Sequence, residues 1–282
     1  MDKKREEQLK SFGRLLDVMD ELREKCPWDR KQTNQSLRAN TIEETYELCE
    51  ALMNEDDKNI CKELGDVLLH IVFYAKIGSE KGAFDIKEVC DQLCDKLIFR
   101  HPHVFGETTV DTAEQVSVNW EQIKQKEKDG NKTVLSGVPS ALPSLIKAFR
   151  VQEKAAHVGF DWEKPEDVWD KVREEYNELQ HELNALKAER KALEEAGADP
   201  KGPEIQSVKQ RSEQEFGDLL FSMVNAGRLY KINPDNALER TNQKFIRRFG
   251  YVEAKAKEQG REIKDLTLAE MDELWNEAKL KE

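Results

Sequence analysis

The sequence has 282 residues, which is enough for one large domain or two modest ones. Charged residues make up 36% of the chain, hydrophobic residues only 38%, and glycine and proline are scarce, a composition that favours long, solvent-exposed helices over a turn-rich β-sandwich. The net charge of −12 argues against direct nucleic-acid binding, since proteins that bind nucleic acids usually present a basic face.

Apolar residues recur every three or four positions along the chain, which is the helical period. The clearest segments are Phe12–Leu22, Ile42–Met53, Leu64–Ala75 and Val172–Leu186. The first helix should end before Cys26-Pro27, and each apolar stripe should be buried against another helix. We therefore predict an all-α fold.

The sequence contains an internal repeat. Three motifs in the first half return in the same order in the second, namely 43–48 as 174–179, 63–68 as 215–220, and 96–100 as 244–248. A turn-rich connector separates the copies. We predict an N-terminal domain at 1–125, a linker at 126–139 and a C-terminal domain at 140–282, each a helical bundle with about four core helices.

The second copy contains an insertion. Its first two motifs are 21 residues further apart than those of the first copy, which locates the insertion at 184–212. Strong helix formers flank a turn at Gly197–Pro203, so a helical hairpin is expected. The hairpin is either an exposed decoration or an arm that reaches a partner subunit or covers the site.

The repeated motifs carry paired carboxylates. Acids three residues apart share one helix face, so two antiparallel helices can bring four acids together. Without a cation these groups repel and their pKa values rise, whereas hard oxygen ligands suit Mg²⁺ or Mn²⁺. A single run of this kind usually marks a solvated helix face, but its ordered duplication favours a metal site. The candidate ligands are Glu44, Glu47, Glu63 and Asp66, and Glu175, Glu178, Glu215 and Asp218.

Other chemistries are less well supported. A di-iron bundle requires Glu-x-x-His, and His70 is a lone histidine whose counterpart is Ser222, so we expect it in the core or at its rim. The P-loop motif is absent. The five cysteines contain no Cys-x-x-Cys motif, which argues against a disulfide framework or a zinc knuckle.

Two lysine–arginine pairs recur at equivalent positions, Lys96/Arg100 and Lys244/Arg248. They are either solubilising surface cations or a grip for an oligophosphate. Trp120 and Trp275 either pack in the fold or stack on a base. The first ten residues are charged, without the apolar region of a signal peptide, and no apolar stretch could span a bilayer, so we expect a soluble cytoplasmic protein.

Taken together, the ordered motifs resemble the MazG family, bacterial nucleoside triphosphate pyrophosphohydrolases of the all-α NTP pyrophosphatase superfamily. The resemblance covers nearly the whole chain. It rests on the duplicated acids and on Cys26-Pro27-Trp28-Asp29, 101–105 (His-Pro-His-Val-Phe) and Gly159-Phe160-Asp161-Trp162. It implies hydrolysis of NTPs and dNTPs to monophosphate and pyrophosphate with Mg²⁺, by a homodimer whose C-terminal domain is catalytic.

The resemblance also implies roles for individual residues. Glu175, Glu178, Glu215 and Asp218 match the metal ligands, and Lys171, Glu174, Lys244, Arg248 and Trp275 match nucleotide contacts. Glu44, Glu47, Glu63 and Asp66 match the same metal motif in the N-terminal copy. The stretch between Glu178 and Glu215 is longer than the usual spacer of the family, but an insertion at the loop end of a hairpin should leave the site in place.

For the mechanism we expect a metal-activated water to attack the α-phosphorus. Glu175 or Glu178 would orient the water, and Lys244 and Arg248 would offset charge on the leaving pyrophosphate. The alternative is a helical scaffold or regulatory protein that binds nucleotides without cleaving them.

Overall fold

The computed structural model describes residues 2–112, 115–116, 119–120, 123, 133–197 and 203–281. All regular secondary structure in these ranges is helical, which confirms the predicted all-α fold. The chain forms two compact units, Met1–Val116 and Ser117–Glu282. Part of the predicted linker at 126–139 and most of the predicted turn after Gly197 lie outside the described residues.

The first unit contains α1 (Lys3–Lys25), α2 (Asn34–Met53), α3 (Asp57–Glu80), α4 (Ile86–Arg100) and the short α5 (Pro102–Phe105). As predicted, α1 ends just before Cys26-Pro27. The α2 helix begins with a capping box between Thr33 and Ser36. The connection to α3 is only three residues long and includes Glu55 in the left-handed region (φ 53°), so α2 and α3 form a tight antiparallel hairpin.

The core of this unit forms where α3 packs on α1 and α2. Val72, Phe73 and Ile77 of α3 are buried with Met19 of α1 and Leu37 of α2. At about 1.5–3 kcal/mol for each fully buried side chain, this cluster is the main stabilising contact of the unit. It anchors the end of α3 that follows the predicted metal ligands.

The second unit contains α6 (Ser144–Ala156), α7 (Val168–Ala196), α8 (Pro203–Leu229), α9 (Pro234–Glu258) and α10 (Leu268–Leu280). The α7 helix ends at Gly197, whose φ of 62° suits glycine. The 184–212 insertion lengthens α7 and α8, which confirms the predicted helical hairpin. Arg211 of α8 contacts Glu182 of α7 at 3.0 Å and joins the two helices beside the insertion.

The predicted burial of the apolar stripes is wrong in part. Leu179 and Ala75 are buried, but Tyr46 of α2, Leu64 of α3 and Tyr176 of α7 each expose about half of their surface. The reason is that the hairpin helices carry apolar residues on more than one face, and only one face packs within each unit. A periodic stripe alone does not show which face that is.

All five cysteines are free thiols. Among the described residues, no helix combines the length and the apolar character needed to cross a bilayer.

Candidate active site

The N-terminal hairpin brings three of its four predicted acids together. One carboxylate oxygen each of Glu44 on α2 and of Glu63 and Asp66 on α3 lie within 4.8 Å of one another. Glu47 is not part of this group. Glu63 is 2% exposed, and within the described structure its Oε2 atom has no hydrogen-bond partner. A buried carboxylate oxygen without a donor is costly unless a cation or a proton satisfies it.

The C-terminal hairpin forms a second group of three. Oxygens of Glu175 and Glu178 on α7 and of Glu215 on α8 lie within 4.8 Å of one another. Asp218 is exposed and lies outside this group. The insertion between Glu178 and Glu215 therefore leaves the acidic ends of α7 and α8 facing each other.

Loss of solvent and crowding of like charges raise the pKa of one acid in each group. For Glu44 the causes are burial and then the negative charges of Asp66, Glu47 and Glu63. For Glu215 the causes are again the loss of solvent and then the negative charges of Glu178, Asp218 and Glu175. A divalent cation would relieve this repulsion. The donor set, all carboxylate oxygens, fits a hard cation such as Mg²⁺ or Mn²⁺.

A lysine side chain contacts each of the two carboxylate groups. The Lys62 ammonium lies 2.7 Å from Oε1 of Glu63, and this hydrogen bond raises the lysine's pKa. The Lys171 ammonium lies 2.7 Å from Glu175 and 3.1 Å from Glu174, and these two bonds raise its pKa strongly. Lys171 and Glu174, which the family resemblance assigns to the nucleotide, thus pair with each other beside the carboxylates.

The remaining nucleotide candidates lie on the last two helices of the second unit. Lys244 and Arg248 lie on α9 and Trp275 on α10. The Arg248 guanidinium lies 5.8 Å from the centre of the Trp275 ring, a cation–π distance, and Phe245 packs on the same ring at 5.0 Å. In the first unit, Lys96 and Arg100 share α4. Trp120 belongs to a stretch at the start of the second unit that is only partly described.

A cavity of about 530 Å³ was missed by the sequence analysis. It lies between α6, α8 and the loop that contains the Gly-Phe-Asp-Trp motif, with Phe160, Trp162 and Phe221 in its wall. Gln152 of α6 also lines it, 6% exposed, and its Oε1 has no hydrogen-bond partner in the described structure. The motif was the available signal, but sequence alone does not show that its aromatic residues border a cavity.

His70 is a buried structural residue, as its lone position predicted. Its Nδ1 lies 3.0 Å from the Thr41 hydroxyl, which also bonds the Tyr74 hydroxyl at 2.6 Å. Burial lowers the pKa of His70 and favours the neutral ring. Its counterpart Ser222 is also buried and donates to the carbonyl of Leu219.

Comparison with known proteins places the chain in a family. A sequence model of the MazG nucleotide pyrophosphohydrolase domain matches residues 32–105. The nucleoside triphosphate pyrophosphohydrolase/pyrophosphatase MazG of Thermotoga maritima is 41% identical over 95% of this chain and 95% of its own length. The nucleoside triphosphate pyrophosphohydrolase of Escherichia coli K12 is 37% identical over 97% of this chain and 99% of its own.

A third relative is longer. The uncharacterized protein YabN of Bacillus subtilis is 44% identical over 95% of this chain, which spans about half (51%) of YabN. The two MazG proteins match over nearly their whole length, so the resemblance found in the motifs is confirmed. The chain belongs to the MazG family of nucleotide pyrophosphohydrolases and is a hydrolase.

Proposed function

We propose that the protein is a Mg²⁺-dependent nucleoside triphosphate pyrophosphohydrolase that converts NTPs and dNTPs to monophosphates and pyrophosphate. The observation that carries this proposal is the convergence of Glu175, Glu178 and Glu215 from two helices. These three acids would hold the metal in the C-terminal unit, with Asp218 one turn further along α8. Mn²⁺ fits the same donors. Bound there, the metal would neutralise the triphosphate and acidify a water molecule.

The two glutamates of α7 are suited to different tasks. Glu175 is buried and accepts a hydrogen bond from Lys171, which fixes its position. Glu178 is exposed, so water can reach its carboxylate. We therefore assign Glu178 to orienting the attacking water at the α-phosphorus, and Glu175 to holding the metal.

Cationic side chains would bind the triphosphate. Lys171 lies beside the carboxylates and can reach phosphate oxygens next to the metal. Lys244 and Arg248 would offset the charge that develops on the leaving pyrophosphate. Trp275 supports Arg248 through the cation–π contact and thereby limits the positions of the guanidinium.

The cavity beside α8 is the place we propose for the nucleoside. Phe221, in its wall, follows Glu215 by six residues on the same helix, a rise of about 9 Å. Phe160 and Trp162 offer ring faces on which any base can stack. The unsatisfied amide oxygen of Gln152 offers a hydrogen-bond acceptor at the wall.

We further propose that the protein is a homodimer. The acid-bearing hairpin of the second unit exposes Tyr176 and Leu183 on α7 and Phe216 and Leu220 on α8, each by 41–53% of its surface. Large apolar surfaces left exposed to solvent are typical of protein interaction sites. A second copy would offer the same apolar face for packing.

The test is pyrophosphate release from each of the eight common NTPs and dNTPs with Mg²⁺. Release of one pyrophosphate per monophosphate supports the proposal. The alternative, a protein that binds nucleotides without cleaving them, predicts binding with no pyrophosphate from any of the eight. The two relatives named as pyrophosphohydrolases favour the enzyme.

A further inference from the structure

The N-terminal carboxylate group contains its own cation. The Lys62 ammonium lies 2.7 Å from Oε1 of Glu63 and 3.9 Å from the carboxylate of Asp66. Glu63 is almost fully buried, whereas the Lys62 side chain is 63% exposed. The ammonium therefore approaches the group from the solvent side, which is the side from which a ligand would enter.

The C-terminal group is arranged in the same way but from the opposite helix. There, Lys171 of α7 contacts the most buried acid of its group, Glu175, also at 2.7 Å. In the register of the duplicated motifs, Lys171 corresponds to Asn40 in the first copy, and Lys62 corresponds to Gln214 in the second. Each copy thus has one lysine on its most buried carboxylate, but the helix that supplies the lysine is exchanged.

A lysine contacts the buried carboxylate in both copies, although different helices supply it. This points to a role for the lysine–carboxylate contact at each site. An ammonium and a divalent cation compete for the same carboxylate oxygens. When a metal binds Glu63, the repulsion between the two cations would drive Lys62 away from the acids. Because its side chain is long and mostly exposed, it can swing out without disturbing the core.

We propose that Lys62 is the phosphate-binding lysine of the N-terminal site, and that it exchanges Glu63 for the triphosphate when metal and nucleotide bind. The inference rests on the proposed function, because it takes a metal-bound triphosphate as the ligand. It gives Lys62 two opposite effects. Lys62 opposes binding of the metal alone, and it favours binding of the metal–nucleotide complex.

The experiment uses the full chain with Glu178→Gln and Glu215→Gln, which disables the C-terminal metal group. Lys62→Met is added to this parent, and Lys58→Met is the matched control, since Lys58 is an exposed lysine one turn earlier on α3. Electron paramagnetic resonance measures the Kd of Mn²⁺ alone. A second titration, at saturating Mn²⁺, measures the Kd of α,β-methylene-ATP, which cannot be cleaved between its α- and β-phosphates.

Lys62→Met should tighten binding of Mn²⁺ alone by about five-fold and weaken binding of the analogue by about five-fold or more. Lys58→Met should change neither value. If Lys62→Met leaves both affinities unchanged, or moves both in the same direction, the inference is overturned. If the parent binds Mn²⁺ but not the analogue, the proposed nucleotide function fails for this site and the inference fails with it. If the parent binds the analogue and Lys62→Met binds it equally well, only the role of Lys62 is overturned.

Discussion

Arg228 and Asp161, which are 67 residues apart in the sequence, form a bidentate ion pair. The guanidinium of Arg228, near the end of α8, donates to both carboxylate oxygens of Asp161 in the Gly-Phe-Asp-Trp loop, one of them at 2.9 Å. Arg228 also donates to the Asn225 side chain. The pair closes one side of the cavity beside α8 and ties the loop to the hairpin that carries Glu215.

Asp161→Asn should therefore destabilise the second unit. The change leaves the guanidinium of Arg228, which is only 12% exposed, without its carboxylate partner. We expect a loss of about 2 kcal/mol in the free energy of unfolding, measured by urea denaturation. The control is Asp170→Asn, which removes an exposed ion pair with Arg173 and should cost less than about 0.5 kcal/mol. Equal effects of the two substitutions would contradict this account.

The same pair predicts how stability depends on pH. Burial alone would raise the pKa of Asp161, but hydrogen bonds from Arg228 and the backbone of Trp162 outweigh it, so the pKa is lowered in the folded state. A group with a lowered pKa stabilises the fold above its unfolded pKa, about 3.9, and the stabilisation is lost as the pH falls through the folded value. The difference in unfolding free energy between the parent and Asp161→Asn should hence be full at pH 6 and shrink below about pH 4. A difference that stays constant down to pH 2.5 would argue against the ion pair.

Divalent cations should stabilise the protein. Metal bound to the two carboxylate groups favours the folded state, and at a hundred-fold excess of Mn²⁺ over its Kd we expect the Tm to rise by roughly 5 °C. Because burial and then charge repulsion raise the pKa of Glu44 and Glu215, protons compete with the metal at a higher pH than for ordinary carboxylates. The rise in Tm should accordingly shrink as the pH falls, and it should begin to shrink at a higher pH than ordinary carboxylates would give.

The control for this prediction neutralises one acid in each group. A chain with both Glu63→Gln and Glu215→Gln should show little or no rise in Tm with Mn²⁺, as measured by differential scanning fluorimetry. A full rise in this variant would place the stabilising metal elsewhere.

Arg248→Ala should weaken substrate binding. The loss of a charge-assisted contact to phosphate is expected to raise the KM for a nucleoside triphosphate by about ten-fold or more. Arg240 is an exposed arginine on the same helix, and Arg240→Ala should leave the KM within two-fold (about 0.4 kcal/mol) of the parent value. Steady-state kinetics with a pyrophosphate-coupled assay measures both. An unchanged KM for Arg248→Ala would mark Arg248 as a surface cation that does not contact the substrate.

Leu220→Glu should disrupt the proposed dimer. Leu220 is half exposed on α8, where it also lines a cavity with Leu145 and Leu238, and a carboxylate there would be costly to bury in an apolar interface. Light scattering after size exclusion should give the mass of a dimer for the parent and of a monomer for the variant. The control Leu280→Glu alters an equally apolar residue that is 89% exposed at the end of α10. A monomeric parent would refute the dimer.

Much of the fold followed from the sequence. The helical period predicted helices that the structure confirms, and the order of the duplicated motifs predicted two copies and the hairpin inserted in the second. Proline at 27 and glycine at 197 act locally, through backbone geometry, and their effects on helix ends were predictable for that reason.

What escaped prediction depends on contacts between distant residues. Glu63 and Glu175 are the most buried acids of their groups although they occupy different helices of the hairpin, and no spacing rule distinguishes them from Glu47 or Asp218. The family resemblance named Lys171 but not Lys62, because the two lysines do not align between the copies. The cavity beside α8 depends on the way α6 and the Phe160 loop pack together.

The acids of the α7–α8 hairpin should support metal-dependent cleavage of nucleoside triphosphates. The most direct measurement is pyrophosphate release with Mg²⁺ by the parent chain and by Glu178→Ala and Glu215→Ala, each checked for folding by circular dichroism. We predict release by the parent and a fall of about a hundred-fold or more for each variant. Turnover close to that of the parent in both variants would contradict the assignment.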